Sequence, residues 1–240
     1  MNVLLFLITL NLILVSRFGL TFKDEGTSAA TILKMAALPL LSLLFIQVNF
    51  AWFILLAYLL LYPLLMIAME RSAVNIYRNR LAGLIIHILV LGVIFSPLLN
   101  AQVYEFLMGL LIGNEDDLVD QLLQLQILLF GGLLVMNEMN IVLRYSLRLL
   151  QLDPLGRAGE TISDQQYNTG RVIGMLERIF IYVFAIAGQF AAIGFILTAK
   201  GVVRYKEFEN NKTFAEYVLI GTLLSALLAL LIALLVGSLI

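Results

Sequence analysis

Few side chains in this 240-residue sequence can do chemistry, since it has no cysteine and one histidine. That removes disulfides, thiolate zinc sites, iron–sulfur clusters and a Cys nucleophile, together with most imidazole chemistry. Two sets near the C-terminal end remain. Glu177, Arg178, Lys200 and Arg204 are candidate anion or headgroup contacts, because Arg offers a planar fork to phosphate or carboxylate and Lys adds a point charge. Their plain alternative is interfacial anchoring by snorkelling side chains. Gln189, Thr222 and Ser225 form a candidate polar seam. A carboxamide in hydrocarbon needs a partner, and interhelical bonds of this kind contribute about 0.6 to 2 kcal/mol. The stretch from Glu177 to Lys200 is about 34 Å long as a helix. The two charged groups are therefore expected at opposite ends of one span, with Gln189 near its middle and Ser225 as its depth-matched partner. His87 shares its span with no Asp, Glu or Cys, so it reads as a hydrogen-bonded structural His rather than a metal ligand or proton relay. Asn11 and Gln47 read as isolated interhelical bonding groups. No catalytic residue, metal or cofactor is expected from these residues.

The elements that position these groups follow from composition. Apolar residues make up 62% of the chain and charged ones 13%, against about 45 to 50% and about a quarter in a soluble domain. An integral membrane protein follows, all-α and built as a polytopic transmembrane helical bundle. The net charge of −1 gives no bulk attraction to nucleic acid, which leaves the lipid bilayer as the expected partner. Apolar runs ended by charge fall at residues 1–16, 35–48, 50–69, 81–99, 122–136, 179–199 and 217–240, read against the roughly 20 residues a crossing helix needs. Seven spans are expected, the second and third forming a hairpin that turns at Asn49. The first has no basic segment before it and no small-residue cleavage site after it, so an uncleaved span is expected.

Orientation follows from Lys and Arg. Loops 17–34, 70–80 and 137–178 carry three, three and five of them, while loop 100–121 carries none and has five acidic residues. Seven spans with the N-terminus outside put these 11 basic residues in the cytoplasm. Loop 200–216, with Lys200, Arg204, Lys206 and Lys212, then falls outside against the rule. The alternative makes 122–136, which contains Gln124 and Gln126, a re-entrant segment. Six spans remain, ten basic residues lie inside and five lie in one long outer loop.

Residues 1–240 read as a single transmembrane domain without repeats. The polar stretch 151–170 has Pro154, Gly156, Gly159 and Gly170 as turn punctuation, and it lacks the Gly-Lys-Ser/Thr ending of a phosphate loop. Residues 101–112 read as an interfacial segment. On the last helix Gly221, Ser225, Ala229, Ala233 and Gly237 recur every four residues, a ridge that permits close helix approach. Ala187 with Ala191 and Gly188 with Ala192 face it from the preceding span. These last two helices are expected to pack as a close pair, and the ridge also offers a surface for self-association.

Three ordered motifs occupy residues 170–225: Gly170-Arg171-Val172-Ile173-Gly174-Met175-Leu176-Glu177-Arg178, then Thr198-Ala199-Lys200-Gly201-Val202-Val203-Arg204, then Glu216-Tyr217-Val218-Leu219-Ile220-Gly221-Thr222-Leu223-Leu224-Ser225. This pattern closely resembles the C-terminal part of the bacterial membrane family known as domain of unknown function 3307. The resemblance covers about a quarter of the chain. Members usually open with a His and an Asp in the first span, which here has neither, and usually have Ser where Gly201 stands. The resemblance implies a bacterial inner-membrane protein and assigns no reaction.

Membrane enzymes need clustered His, Asp, Glu or Ser at one reacting bond. The sequence has no His-Glu-x-x-His, no Gly-x-Ser-x-Gly and no paired intramembrane carboxylate, so a non-enzymatic role is expected. Two readings stand: transport or permeation of a small solute or ion through the polar seam, and a scaffold that binds a partner, a lipid headgroup or its own copies.

Overall fold

The computed structural model describes residues 2–20, 22, 27–71, 75–99, 101–104, 116–150, 164–203, 205, 209 and 212–240. Arg204, the acidic residues 105 and 115, and most of the polar stretch 151–170 lie outside them. The described residues are helical, with no named strand. That suits a chain without water along its length, because hydrocarbon offers backbone groups no partner and a helix pairs them internally.

The helices are α1 (Asn2–Arg17), α2 (Ala29–Ala37), α3 (Phe50–Arg71), α4 (Ile76–Ile94), α5 (Asp116–Leu133), α6 (Met139–Leu149), α7 (Asp164–Ile186), α8 (Phe190–Val203) and α9 (Lys212–Gly237). A 3₁₀ segment, Leu38–Phe45, continues α2, and a π segment, Leu134–Glu138, joins α5 to α6. Among the described residues, five stretches are long and apolar enough to cross a membrane: Asn2–Leu20, Phe50–Glu70, Ile76–Ile94, Asp117–Leu149 and Ala215–Gly237. Large apolar side chains on them are open, such as Phe53 at 57%, Leu61 at 62%, Leu89 at 63% and Leu234 at 59% exposure. Exposure of this kind along several helices suits lipid, not water.

The expected single domain divides into two compact units, Met1–Leu133 and Leu134–Ile240. In the first, α1 is the central post: 56% of its apolar window is buried, against 33% or less in the other long stretches. It touches α2, α4, α5 and the 3₁₀ segment, and Leu5, Leu10, Ile13 and Leu14 are sealed within them. Asn11 donates from α1 to the Gln126 carbonyl at 3.0 Å and to its side chain at 2.7 Å. A glutamine that weakens 122–136 as a lipid-facing span thus has an interhelical task.

The second expected span is built unusually. Pro39 sits at the start of the 3₁₀ segment, and 3₁₀ geometry rises about 2.0 Å per residue against 1.5 Å in an α-helix. The 17 residues Ala29–Phe45 therefore reach about 30 Å, the thickness of the hydrocarbon. Asn49 then caps α3, accepting from the Trp52 amide at 3.0 Å. The turn is tied to residues 101–104, beyond α4: Gln47 N–H donates to the Gln102 carbonyl at 2.8 Å and Tyr104 N–H to the Phe45 carbonyl at 3.1 Å.

In the second unit three expectations are corrected. The fifth apolar stretch does not stop at residue 136 but runs to Leu149, so the first part of the expected loop 137–178 is helix. The sixth span, 179–199, is not one helix. It breaks at Ala187-Gly188-Gln189, where Gly188 has φ +69°. A left-handed backbone there suits glycine and costs other residues about 1 to 2 kcal/mol. The helix partner of α9 is α7, not the segment after the break. Arg178 beside Ser225 and Ile186 beside Gly237 show α7 and α9 running side by side in the same direction.

Candidate functional site

The hairpin of α7 and α8 rearranges the candidates Glu177, Lys200 and Gln189. Glu177 and Lys200, expected at opposite ends of a span, form an ion pair, with Lys200 Nζ 2.5 Å from Glu177 Oε2. Both side chains are nearly buried, at 18% and 19% exposure. Gln189 is exposed in the turn and is not paired with Ser225. Thr222 is half-buried. The expected seam of Gln189, Thr222 and Ser225 is therefore not assembled.

Ser225 instead faces Arg178. Arg178 Nη1 donates to Ser225 Oγ at 3.5 Å and Arg178 Nε to the Val135 carbonyl at 3.0 Å. Arg178 is 3% exposed, and its Nη2 has no hydrogen-bond partner among the described residues. Ser225 lies nine residues along α9 from Glu216, about 13 Å by helical rise. The guanidinium is thus set well inside its unit, where an interfacial anchor would sit at the edge. Its acceptor belongs to the π segment, a local widening of the helix that recurs at functional sites. Asn137 and Glu138 of the same segment are fully buried, and Asn137 Nδ2 donates to Glu138 Oε1 at 3.2 Å. Arg171 is also buried, about two turns earlier on α7. Arg204, the remaining anion candidate, lies outside the described residues.

The packing ridge is partly realised. Ala229 and Ala233 are buried, Gly221 and Ser225 half-buried, and Gly237 and Gly188 exposed, with Ala192 half-buried on α8. The sealed face of α9 is Ala226, Ala229, Ala233 and Val236, which is a helical stripe offset from the four-residue ladder.

Sequence reasoning missed a polar network in the first unit. Arg80 and Glu70, read as residues flanking a loop, are a buried pair with Nε to Oε1 at 2.7 Å and side chains 1% and 2% exposed. Arg80 Nη1 also donates to the Leu20 carbonyl at 3.1 Å, and the Thr27 backbone N–H donates to Glu70 Oε2 at 2.7 Å. Arg17, 3% exposed, donates to Tyr62 Oη at 3.0 Å and to the Arg80 carbonyl at 2.9 Å. His87 is bonded as expected, its Nδ1 lying 2.7 Å from Tyr58 Oη. The spacing of Tyr58 and Tyr62, one turn apart on α3, was the available signal. Among the described residues no group of three His, Cys, Asp or Glu is placed to hold a metal ion.

No family model, curated protein or solved structure matches the chain. Function therefore rests on the geometry, and what the geometry makes plain is an all-helical membrane protein with buried charge in both units.

Proposed function

We propose that this chain is a non-enzymatic, multi-pass protein of a bacterial inner membrane that carries or conducts a small solute or ion. Its C-terminal unit forms the path, around Arg178 and the α7–α8 hairpin. The observation that carries the reading is Arg178 itself. A fixed positive charge at 3% exposure among apolar helices is costly, and ionisable groups in such places mark substrate and ion pathways. Broken helices accompany them, because irregular backbone at membrane depth is tolerated where it is covered by protein or lines a cavity.

The membrane arrangement follows from the hairpin. Its two arms return to one side, so loop 200–216 joins loops 17–34, 70–80 and 137–178. Of the 15 Lys and Arg of the chain, all but Arg178, which is set at depth, then belong to the cytoplasmic side, in accord with the positive-inside bias. The sequence-level schemes left four or five outside. In this arrangement the start of α1 and the end of α9 lie outside, and the second apolar segment, lengthened by its 3₁₀ part, is a crossing.

Reconstitution tests the function. Proteoliposomes are assayed for radiolabelled chloride and rubidium uptake and for glycerol-driven swelling. Flux above that of empty vesicles for at least one probe is expected, with a reduction of roughly tenfold or more in Arg178→Lys, which keeps the charge but not the planar fork. Background flux for all three probes would overturn the reading in favour of a scaffold.

A further inference from the structure

A guanidinium has five N–H donors to place, and the second unit gives Arg178 few acceptors for them. Its Nε donates to the Val135 carbonyl at 3.0 Å, and its Nη1 reaches Ser225 Oγ only at 3.5 Å, the long limit for such a bond. Its Nη2 has no partner among the described residues. Both acceptors are neutral, and the carboxylate next in sequence, Glu177, is held by Lys200. A group at 3% exposure thus keeps donors and a charge that native structures normally satisfy.

The space beside it is set by glycine. Long side chains on a helix turn back toward its N-terminus and lie over the residue four positions earlier. For Arg178 that residue is Gly174 of α7. Apart from the backbone of α7 itself, one heavy atom of the described residues lies within 4 Å of a Cβ built on Gly174, and it is Arg178 Nη1 at 3.7 Å. A methyl-sized body therefore fits against the guanidinium in ordinary contact and displaces nothing. One turn earlier on the same face, Gly170 is exposed and has no such neighbour within 4 Å. From Gly170 to Arg178 this face rises about 12 Å, leading from an open position to a buried charge.

We infer that the notch at Gly174 binds a small monovalent anion of about chloride size, held by the Nη1 and Nη2 hydrogens of Arg178. The sign of the ligand follows from a cation whose acceptors are neutral, since an anion supplies both the missing acceptor and the counter-charge. Its size follows from the room of one methyl group, which a chloride ion roughly matches and an organic anion with a carbon chain exceeds. The inference names the substrate class of the path proposed above and rests on that reading for its part in transport. The binding site itself stands on the geometry of α7.

Filling the notch tests it. Chloride replaces gluconate at constant sodium over the purified protein in detergent, and binding is read as the saturable part of the ³⁵Cl line broadening. A saturable component is expected in the unmodified protein. Gly174→Ala puts a methyl group where the ion would sit and is expected to weaken binding at least about tenfold, the scale of losing one charge-assisted bond. Arg178→Gln should do the same. Gly221→Ala, which also adds a methyl group where nothing lies within 4 Å, should leave binding unchanged. No saturable component, undiminished binding in Gly174→Ala or Arg178→Gln, or an equal loss in Gly221→Ala would overturn the inference. Rubidium or glycerol flux in proteoliposomes without chloride binding would keep the path and remove the anion site. Chloride binding without flux of any probe would keep the site and remove the path.

Discussion

Glu70 and Arg80 lie ten residues apart, yet they meet because α3 and α4 fold back on each other. Each carboxylate oxygen is used: Oε1 accepts from Arg80 Nε at 2.7 Å, and Oε2 accepts from Arg80 Nη2 at 3.2 Å and from Thr27 N–H at 2.7 Å. Glu70→Gln replaces one acceptor by an NH₂ facing donors and removes the Glu70 charge from the guanidinium. A loss of about 3 to 5 kcal/mol is expected for breaking a buried pair from one side, read as a lower thermal midpoint in detergent. The double variant Glu70→Leu with Arg80→Leu is expected to be less destabilised than Glu70→Gln, because neither charge of the pair is left buried without the other. A double variant no better than the single would mean that the bonds to Leu20 and Thr27 carry the stability. Gly83 makes a related point: an added Cβ would lie 3.0 Å from Tyr62 Oη and 3.1 Å from Met66 Sδ. Gly83→Ala is expected to cost about 1 to 3 kcal/mol by overpacking and to loosen Tyr62 from Arg17. Residue type reveals that these groups are charged or small but not who faces them, so Arg80 read as one more loop cation.

The α7–α8 hairpin and the α7–α9 pair dominate at the level of elements. Because the chain has no native cysteine, Glu177→Cys with Lys200→Cys is a clean probe. A short bis-maleimide should join them, whereas a straight helix would hold them about 34 Å apart. Absence of the cross-link would restore the continuous span. On α9, Ala229→Leu is expected to destabilise by about 1 to 3 kcal/mol, since Ala229 is fully buried and a well-packed contact resists added volume. Gly221→Ala should be neutral or slightly stabilising, because nothing lies within 4 Å of an added Cβ there and alanine is the better helix former. Equal effects at the two positions would show that the whole small-residue ladder is an interface. The ladder was legible as spacing. Its buried side was not, because a four-residue repeat drifts around a helix of 3.6 residues per turn.

Across the whole chain, the proposed arrangement makes a sharp labelling prediction. Val202 is 70% exposed and follows Lys200, Ser238 follows the end of α9, and Asp117 opens the fifth stretch. Single cysteines at these positions are exposed in intact cells to a membrane-impermeant thiol reagent. Positions 117 and 238 are expected to react, and position 202 only after permeabilisation. Reaction at 202 in intact cells would return loop 200–216 to the outside and with it the seven-span scheme. The membrane character itself was legible, since long apolar runs in a chain that is 13% charged have few other solutions. The count of crossings was not, because hydropathy records whether a residue tolerates lipid and carries no information on the direction in which the chain leaves a turn.

By itself the sequence determined the solvent, the helical class, most places where apolar segments begin and end, and the motifs with their charges. These are properties of composition and period, which each stretch of chain carries without reference to any other. The tertiary structure decided that Glu177 meets Lys200, that Ser225 serves Arg178 and not Gln189, and that Arg17, Tyr62 and His87 share one cavity. Each of those depends on a turn or a long-range contact. A single glycine at φ +69° reverses a helix that its apolar neighbours would let run on, because lipid is satisfied by either path and only packing against the other helices distinguishes them.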